Sequence, residues 1–279
     1  GGTAINLFER DMPRLSVDID LTYLRIADRD ESLQAIRGHL EEVRKILSER
    51  APDIKVALQK QRDGSETKML CRAGGVQIKV EVNTVKRGTL LSVREMTVSE
   101  AVQDEFGMFA VMNVLSHGEL FGGKIHAALD RQHPRDLFDV AYLLKNEGIT
   151  ELVKQGMVVA LVSSSRPLHE LLNPNFIDQR QAFGSQFAGM SAEPFTYEDF
   201  EATREQLLAE ITRSLTDDDK AFMLSVMNGE PEWQLFPWDG IRQLPAVQWK
   251  LVNLRKLKER KPGKFTEQVK SLGNCLFHT

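Results

Sequence analysis

Cysteine is scarce in this chain, with Cys71 and Cys275 the only two among 279 residues. They stand far apart and lack metal-type spacing, which argues against a disulfide scaffold and a zinc site and suits a reducing cytoplasm. Long apolar runs are missing too. The longest, Met157 to Val162, falls far short of the roughly 20 residues that cross a bilayer, and no secretory leader is visible. Neither sign of charge dominates: a net charge of −4 argues against a chain wrapped in nucleic acid along its whole surface, so any such contact is expected from a local basic patch. Low-complexity tracts and internal repeats are also absent. What remains is an ordinary globular composition, 42% hydrophobic and 27% charged, in a chain long enough for two domains.

Against that background one segment stands out, Arg14-Leu-Ser-Val-Asp-Ile-Asp-Leu-Thr22. Val17, Ile19 and Leu21 alternate with Ser16, Asp18, Asp20 and Thr22, the period-two pattern of a strand with one apolar and one polar face. Asp18 and Asp20 therefore point the same way, roughly 6.5–7 Å apart at the backbone. Asp is depleted in strands, and two carboxylates held this close repel each other unless a cation lies between them. Mg²⁺ is held by one or two carboxylates together with substrate phosphates. The pattern predicts a metal–nucleotide site.

The chain opens on Gly1-Gly2-Thr3, a pair of glycines before a short helix expected at residues 3–10. Such a turn lets backbone N–H groups approach an anion. A strand normally delivers the chain into a turn of this kind, so further residues are expected upstream. The Asp-bearing strand is expected over 14–24 and a helix over 30–50, with its stripe at Leu33, Ile36, Leu40, Val43 and Leu47. Strands follow at 53–58, 67–72 (after a turn at 62–65), 76–83 and near 108–114. Helices are expected at 116–131, 135–146, 149–162, 198–214, 217–228 and 239–260. The resulting class is α+β, with a mixed sheet and helices over residues 1–147 and an all-helical domain over 148–279.

Three further groups carry chemistry. Glu81 lies on the polar face of Val76-Gln-Ile-Lys-Val-Glu-Val-Asn83; were that strand beside the first, Glu81 would be a third carboxylate of a two-metal site. A solvated Lys79/Glu81 face is the plain alternative. Lys124, on a helix read as starting after Gly122-Gly123, is placed to reach a triphosphate as a point charge. Arg135, Asp136 and Asp139 crowd the first turn of the next helix, where Asp also serves as an ordinary cap. His126 and His133 lack zinc-ligand spacing and are expected to be structural. Lys250 to Lys270 is rich in Lys and Arg, with Trp249, Val252 and Leu257 as part of an apolar stripe. It reads as a solvated surface helix or, alternatively, as an RNA-contacting arm. The Trp233, Phe236 and Trp238 cluster is expected to be packing rather than base stacking.

Taken together, Gly1-Gly2-Thr3, Ser16-Val-Asp-Ile-Asp20, Lys124-Ile-His-Ala and Arg135-Asp-Leu-Phe-Asp139 resemble the AbiEii/AbiGii toxin family of nucleotidyltransferases, in the DNA polymerase β-like superfamily. The resemblance covers about 140 residues in order and spacing. It implies that Gly1, Gly2, Thr3, Ser16 and Arg135 belong to the nucleotide site, that Asp18 and Asp20 hold Mg²⁺ or Mn²⁺, that Lys124 neutralises the triphosphate, and that Asp136 is a further essential acid. Glu81 matches the third acid of the wider superfamily, and Asp139 is implied as supporting. It also implies a bacterial, cytoplasmic toxin of an abortive-infection or toxin–antitoxin pair that transfers NMP from an NTP, to tRNA 3′ ends in some members, with a cognate antitoxin encoded nearby.

Two other readings compete. Asp18-Ile-Asp-Leu-Thr22 fits the Asp-x-Asp-x-Thr signature of haloacid-dehalogenase-type phosphatases, whose nucleophile strand is central in a parallel sheet and apolar on both faces. Arg14-Leu-Ser-Val alternates instead. A catalytically inactive nucleotide-binding module is the other, against which the retained Asp pair and Lys124 both count.

Overall fold

The two most regular alternating segments of the sequence lie side by side. In a computed structural model, which describes residues 1–61 and 63–277, they become strands β1 (Asp18–Thr22) and β4 (Val76–Asn83), paired in parallel. β2 (Lys55–Lys60) and β3 (Glu66–Ala73) complete a mixed sheet in the order β1-β4-β3-β2, with β4–β3 and β3–β2 antiparallel. β2 and β3 are joined by the expected turn, whose Arg62 lies outside the described residues. There Gly64 takes φ +83, and Ser65 donates its backbone N–H and hydroxyl to the Asp63 carboxylate.

β1 is shorter than the expected 14–24 because Arg14 and Leu15 turn to other partners. Arg14 bridges Ser191, and the Leu15 N–H donates to the Met190 carbonyl at 2.8 Å. β1 is also an edge strand, paired within the sheet to β4 alone. This overturns the phosphatase reading, which requires that strand at the centre of a parallel sheet.

Alternation sorts the sheet into two faces. Ile19, Leu21, Met69, Val80 and Val82 pack against Ile36 and Leu40 of helix α2 (Arg29–Arg50) as a small core of their own. The opposite face carries Asp18, Asp20, Lys68, Lys79 and Glu81, which the register sets in adjacent rows: Asp18 beside Lys79, Asp20 beside Glu81, Lys68 across from Glu81. Ahead of β1, α1 (Gly2–Ala4) runs into a π-helical turn at Ile5–Glu9. A two-stranded ribbon, β5 (Arg94–Thr97) and β6 (Val111–Val114), encloses α3 (Glu100–Phe106). β5 and α3 are too short to show a period.

The helical layer holds the larger core. It comprises α4 (His117–Arg131), α5 (Pro134–Asn146), α6 (Glu151–Val162), α7 (Leu168–Leu172), α8 (Arg180–Gln186), α9 (Tyr197–Ser214), α10 (Asp217–Met227), α11 (Pro245–Arg260) and α12 (Pro262–Phe277). One buried cluster runs through it from Ile5, Phe121 and Leu137 to Met157, Phe222 and Leu276. The boundary expected at residue 147 is therefore a turn, with Gly148 at φ +70, and not a boundary of the core: α4 and α5 share their core with the later helices. α4 and α6 approach so closely that a Cβ on Gly122 or Gly156 would overlap the facing backbone.

Near the C-terminus two expectations change. The helix expected at 239–260 is a 3₁₀ turn at Asp239–Gln243 and then α11, because Pro245 is tolerated in a first turn and not in a helix interior. The basic stretch 250–270 is two helices broken at Lys261-Pro262. Trp249 is 54% exposed, while Lys250 is buried and donates to the Arg166 carbonyl. Phe236 stacks on Phe222 at 4.9 Å between ring centres, so that aromatic cluster is packing. Among the described residues no helix is long and apolar enough to cross a membrane.

Candidate active site

Two walls of opposite charge face one cleft of about 940 Å³. The first is the polar face of the sheet. Lys79 Nζ lies 3.8 Å from Asp18 and 3.2 Å from Glu81, and Lys68 Nζ lies 2.7 Å from Glu81. Among the described residues no cation of the protein lies within 4.0 Å of the exposed Asp20 carboxylate. Three carboxylates thus meet two ammonium groups, leaving one negative charge in excess. For Glu81, partial burial works to raise the pKa, but hydrogen bonds from Lys68 and Lys79 outweigh it and hold the carboxyl below its ordinary value.

The expectation that Glu81 is a third metal ligand changes accordingly. β4 does bring it beside Asp20, but both its oxygens are engaged by lysines. No three His, Cys, Asp or Glu side chains among the described residues are grouped to hold a metal. The acids with capacity to spare are Asp18 and Asp20. Two hard carboxylates open to a cleft are the donor set that Mg²⁺ or Mn²⁺ accepts when phosphate oxygens and water complete its shell, so the residues present fit such an ion.

The glycine turn abuts this wall. A Cβ on Gly1 would overlap Asp20 Oδ2, and one on Gly2 would lie 2.6 Å from an Arg14 guanidinium nitrogen. Glycine lets the turn pass this close to both side chains. Thr3, expected at the nucleotide, does not line the cleft. Its hydroxyl donates to the Asp18 carbonyl and lies 2.9 Å from Ser16 Oγ, tying the turn to β1; Ser16 itself does face the cleft.

The second wall comes from α4 and α5. Lys124, 6% exposed, donates to Asp136 at 2.8 Å and lies 2.9 Å from Asp139. Arg14 binds Asp139 through two nitrogens at 2.7 and 2.6 Å, and Arg131 binds Asp136 likewise at 2.5 and 3.0 Å. Asn6 donates to Asp139 and to the Gly2 carbonyl, linking this network to the glycine turn. Burial works to raise the pKa of Asp136 and of Asp139. The cations outweigh it, Lys124 foremost for both, then Arg131 for Asp136 and Arg14 for Asp139, and both acids fall well below the carboxylate range. Burial works to lower Lys124, but the two carboxylates raise it on balance. Three cations against two acids leave one positive charge in excess.

The Asp136 carboxylate serves as a partner for cations and not as the cap of its helix. The cap of α5 is His133, whose Nδ1 accepts from the Arg135 N–H, so the Asp136 carboxylate is free to bind Lys124 and Arg131. Arg135 lines the cleft beside them.

The chain matches the family described as nucleotidyl transferase AbiEii toxin, type IV toxin–antitoxin system, over residues 1–253. It belongs to that family. As an AbiEii-family member it is a nucleotidyltransferase toxin of a type IV toxin–antitoxin system, a class that uses NTP substrates. Its fold is similar to that of MenT4, a nucleotidyltransferase toxin from Mycobacterium tuberculosis H37Rv, at 18% identity and a TM-score of 0.59, covering 91% of this chain and 83% of that one. No curated protein sequence matches this AbiEii-family chain.

Four charged residues of the AbiEii-family site escaped the reading of the sequence as site residues: Arg14, Lys68, Lys79 and Arg131. Arg131 had a local signal, since it lies five residues before Asp136 across a helix junction. Arg14 is 125 positions from Asp139, and no local pattern joins them.

Proposed function

We propose that this AbiEii-family toxin transfers a nucleoside monophosphate from an NTP to the 3′ hydroxyl of an RNA acceptor, tRNA being the favoured class, with Mg²⁺ or Mn²⁺ held by Asp18 and Asp20. The observation that carries the reading is the opposition of the two walls, one with an excess negative charge beside the glycine turn and one with an excess positive charge beneath it. A metal–triphosphate presents the complementary pair, its cation toward the acidic wall and its phosphates toward the basic one.

Asp18 and Asp20 bind and orient from the sheet side. When bound there, the metal supplies Lewis acidity at the α-phosphoryl group and at the acceptor oxygen. From the helical side, Lys124, held in place by Asp136 and Asp139, and Arg131 set positive charge against the triphosphate where charge accumulates as pyrophosphate leaves. Arg135 and Ser16 line the same space. Gly1 and Gly2 admit the phosphate chain next to Asp20. Glu81 positions Lys68 and Lys79, and Thr3 positions the turn. The acceptor oxygen forms its bond to phosphorus as the bond to pyrophosphate breaks, so catalysis is chiefly positioning and electrostatics. The family is read as acting in the bacterial cytoplasm, restrained by a cognate antitoxin.

Incubating the purified protein with bacterial total RNA, Mg²⁺ or Mn²⁺ and each of four α-labelled NTPs tests this. Label from at least one nucleotide should become acid-insoluble and RNase-sensitive. Label that enters no RNA with either metal would refute the proposal.

A further inference from the structure

Beyond the charged walls the cleft continues along α4 into a part with a different character. Val159 and Ala160 of α6, with Leu244 and Ala246 at the start of α11, form an uncharged apolar surface there. Facing the same space are Lys86, from the loop after β4, and His126, from α4. The loop is aimed by an Asx turn: Asn83 Oδ1 accepts from the N–H groups of Val85 at 3.0 Å and of Lys86 at 2.8 Å.

Lys86 Nζ lies 3.2 Å from His126 Nδ1, and no carboxylate among the described residues comes within 4.0 Å of it. Burial pushes its pKa down to about 8, with Asp130 opposing. Burial, then Lys86 and Lys250, push His126 down to about 3, so its ring is neutral at pH 7. A protonated Lys86 then donates to Nδ1, which puts the ring proton on Nε2, an atom with no partner among the described residues. His126 was expected to be structural, and its contact fixes Lys86. The ammonium retains donor capacity that no group among the described residues uses.

A half-buried donor with no carboxylate within 4.0 Å among the described residues, set beside apolar side chains lining the same cleft, suits an uncharged aromatic ring with a polar edge. A phosphate would call for several donors and paired charge, which the other end of the cleft supplies. We propose that this part of the cleft is the nucleobase subsite for the incoming NTP, where Lys86 donates to a ring carbonyl and so selects uracil, cytosine or guanine over adenine. The subsite rests on the placement of the triphosphate at the two charged walls, since a nucleotide bound there extends its base along α4. Adenine has no carbonyl: its acceptors are ring nitrogens, recessed from where an exocyclic oxygen projects and flanked by an amino donor, so a lysine placed for a carbonyl oxygen pairs less well with it. Lys86 is the specificity-determining residue and His126 a positioning residue.

The test measures equilibrium binding of the four NTPs as non-hydrolysable analogues with Mg²⁺, and in parallel the transfer kinetics, for the wild type, Lys86→Met and Lys86→Gln. The wild type should bind the carbonyl-bearing bases about tenfold more tightly than adenine, the scale of one hydrogen bond to a charged group. Lys86→Met should erase that ratio through Kd and KM, leaving kcat within about twofold by the same reasoning, and Lys86→Gln, which keeps a donor, should retain part of it. An unchanged base preference in Lys86→Met, or a uniform loss with all four nucleotides, would overturn the subsite. Intact base discrimination in binding without transfer to RNA supports the subsite and rejects the transfer reaction proposed above. Transfer without base discrimination does the reverse.

Discussion

The sheet wall and the helical wall use the same residue type in opposite ways. Asp136 and Asp139 are buried, and every cation they need is supplied by Lys124, Arg131 and Arg14. Asp18 and Asp20 project from an edge strand into an open cleft, and the nearest cation among the described residues is 3.8 Å away at Asp18. Acids that the chain itself neutralises build the site, whereas acids left short of cations are available to bind what the chain lacks. The difference should separate stability from activity.

The largest expected effect comes from breaking the closed side. Asp139→Ala strands two buried cations and should cost about 3–5 kcal/mol, read as a drop in urea midpoint at unchanged m-value, with activity lost alongside. A variant that melts like the wild type would show that the network contributes little to the fold. Breaking the open side should do the reverse. Asp20→Asn is expected to lower transfer by at least about a hundredfold while leaving the thermal melt within about 0.5 kcal/mol of wild type, the usual range for an exposed site. Equal losses of stability and activity would erase the distinction between the walls.

The smallest effect sharpens the comparison through pH. Asp136 and Asp139 release their protons more readily folded than unfolded. Their contribution is whole above the unfolded carboxylate value of about 3.9 and fades as pH falls below it, because the unfolded chain then takes up more protons. Lys124 is raised on folding, so its share is whole below about 10.4 and is lost as pH rises past that. Stability from this network should therefore be level across neutral pH and decline at both extremes. Urea midpoints should follow this course, with a shallower acid limb in Asp139→Asn. An acid limb as steep in that variant as in wild type would place the titrating groups elsewhere.

Much of this was legible in the sequence because the informative patterns were local. Alternation placed Asp18 and Asp20 on one face and Glu81 on the equivalent face of another strand, and helical spacing located α4, α5 and α6. Roles that depend on partners were not legible. Thr3 was expected at the phosphates, yet its hydroxyl is tied to β1. Glu81 was expected at the metal, yet two lysines from β3 and β4 hold it. Short elements such as β5, α3 and α8 were missed because four to seven residues carry no resolvable period.

The sequence alone determined which residue types stand at which positions along each strand and helix, and therefore which carboxylates share a face. That follows from the backbone's fixed periods of 2 and 3.6 residues. Only the tertiary structure decided which of those carboxylates would find a cation. Ion pairing depends on distances between segments as far apart as Arg14 and Asp139, and those distances are set when the sheet and the helices close on the cleft.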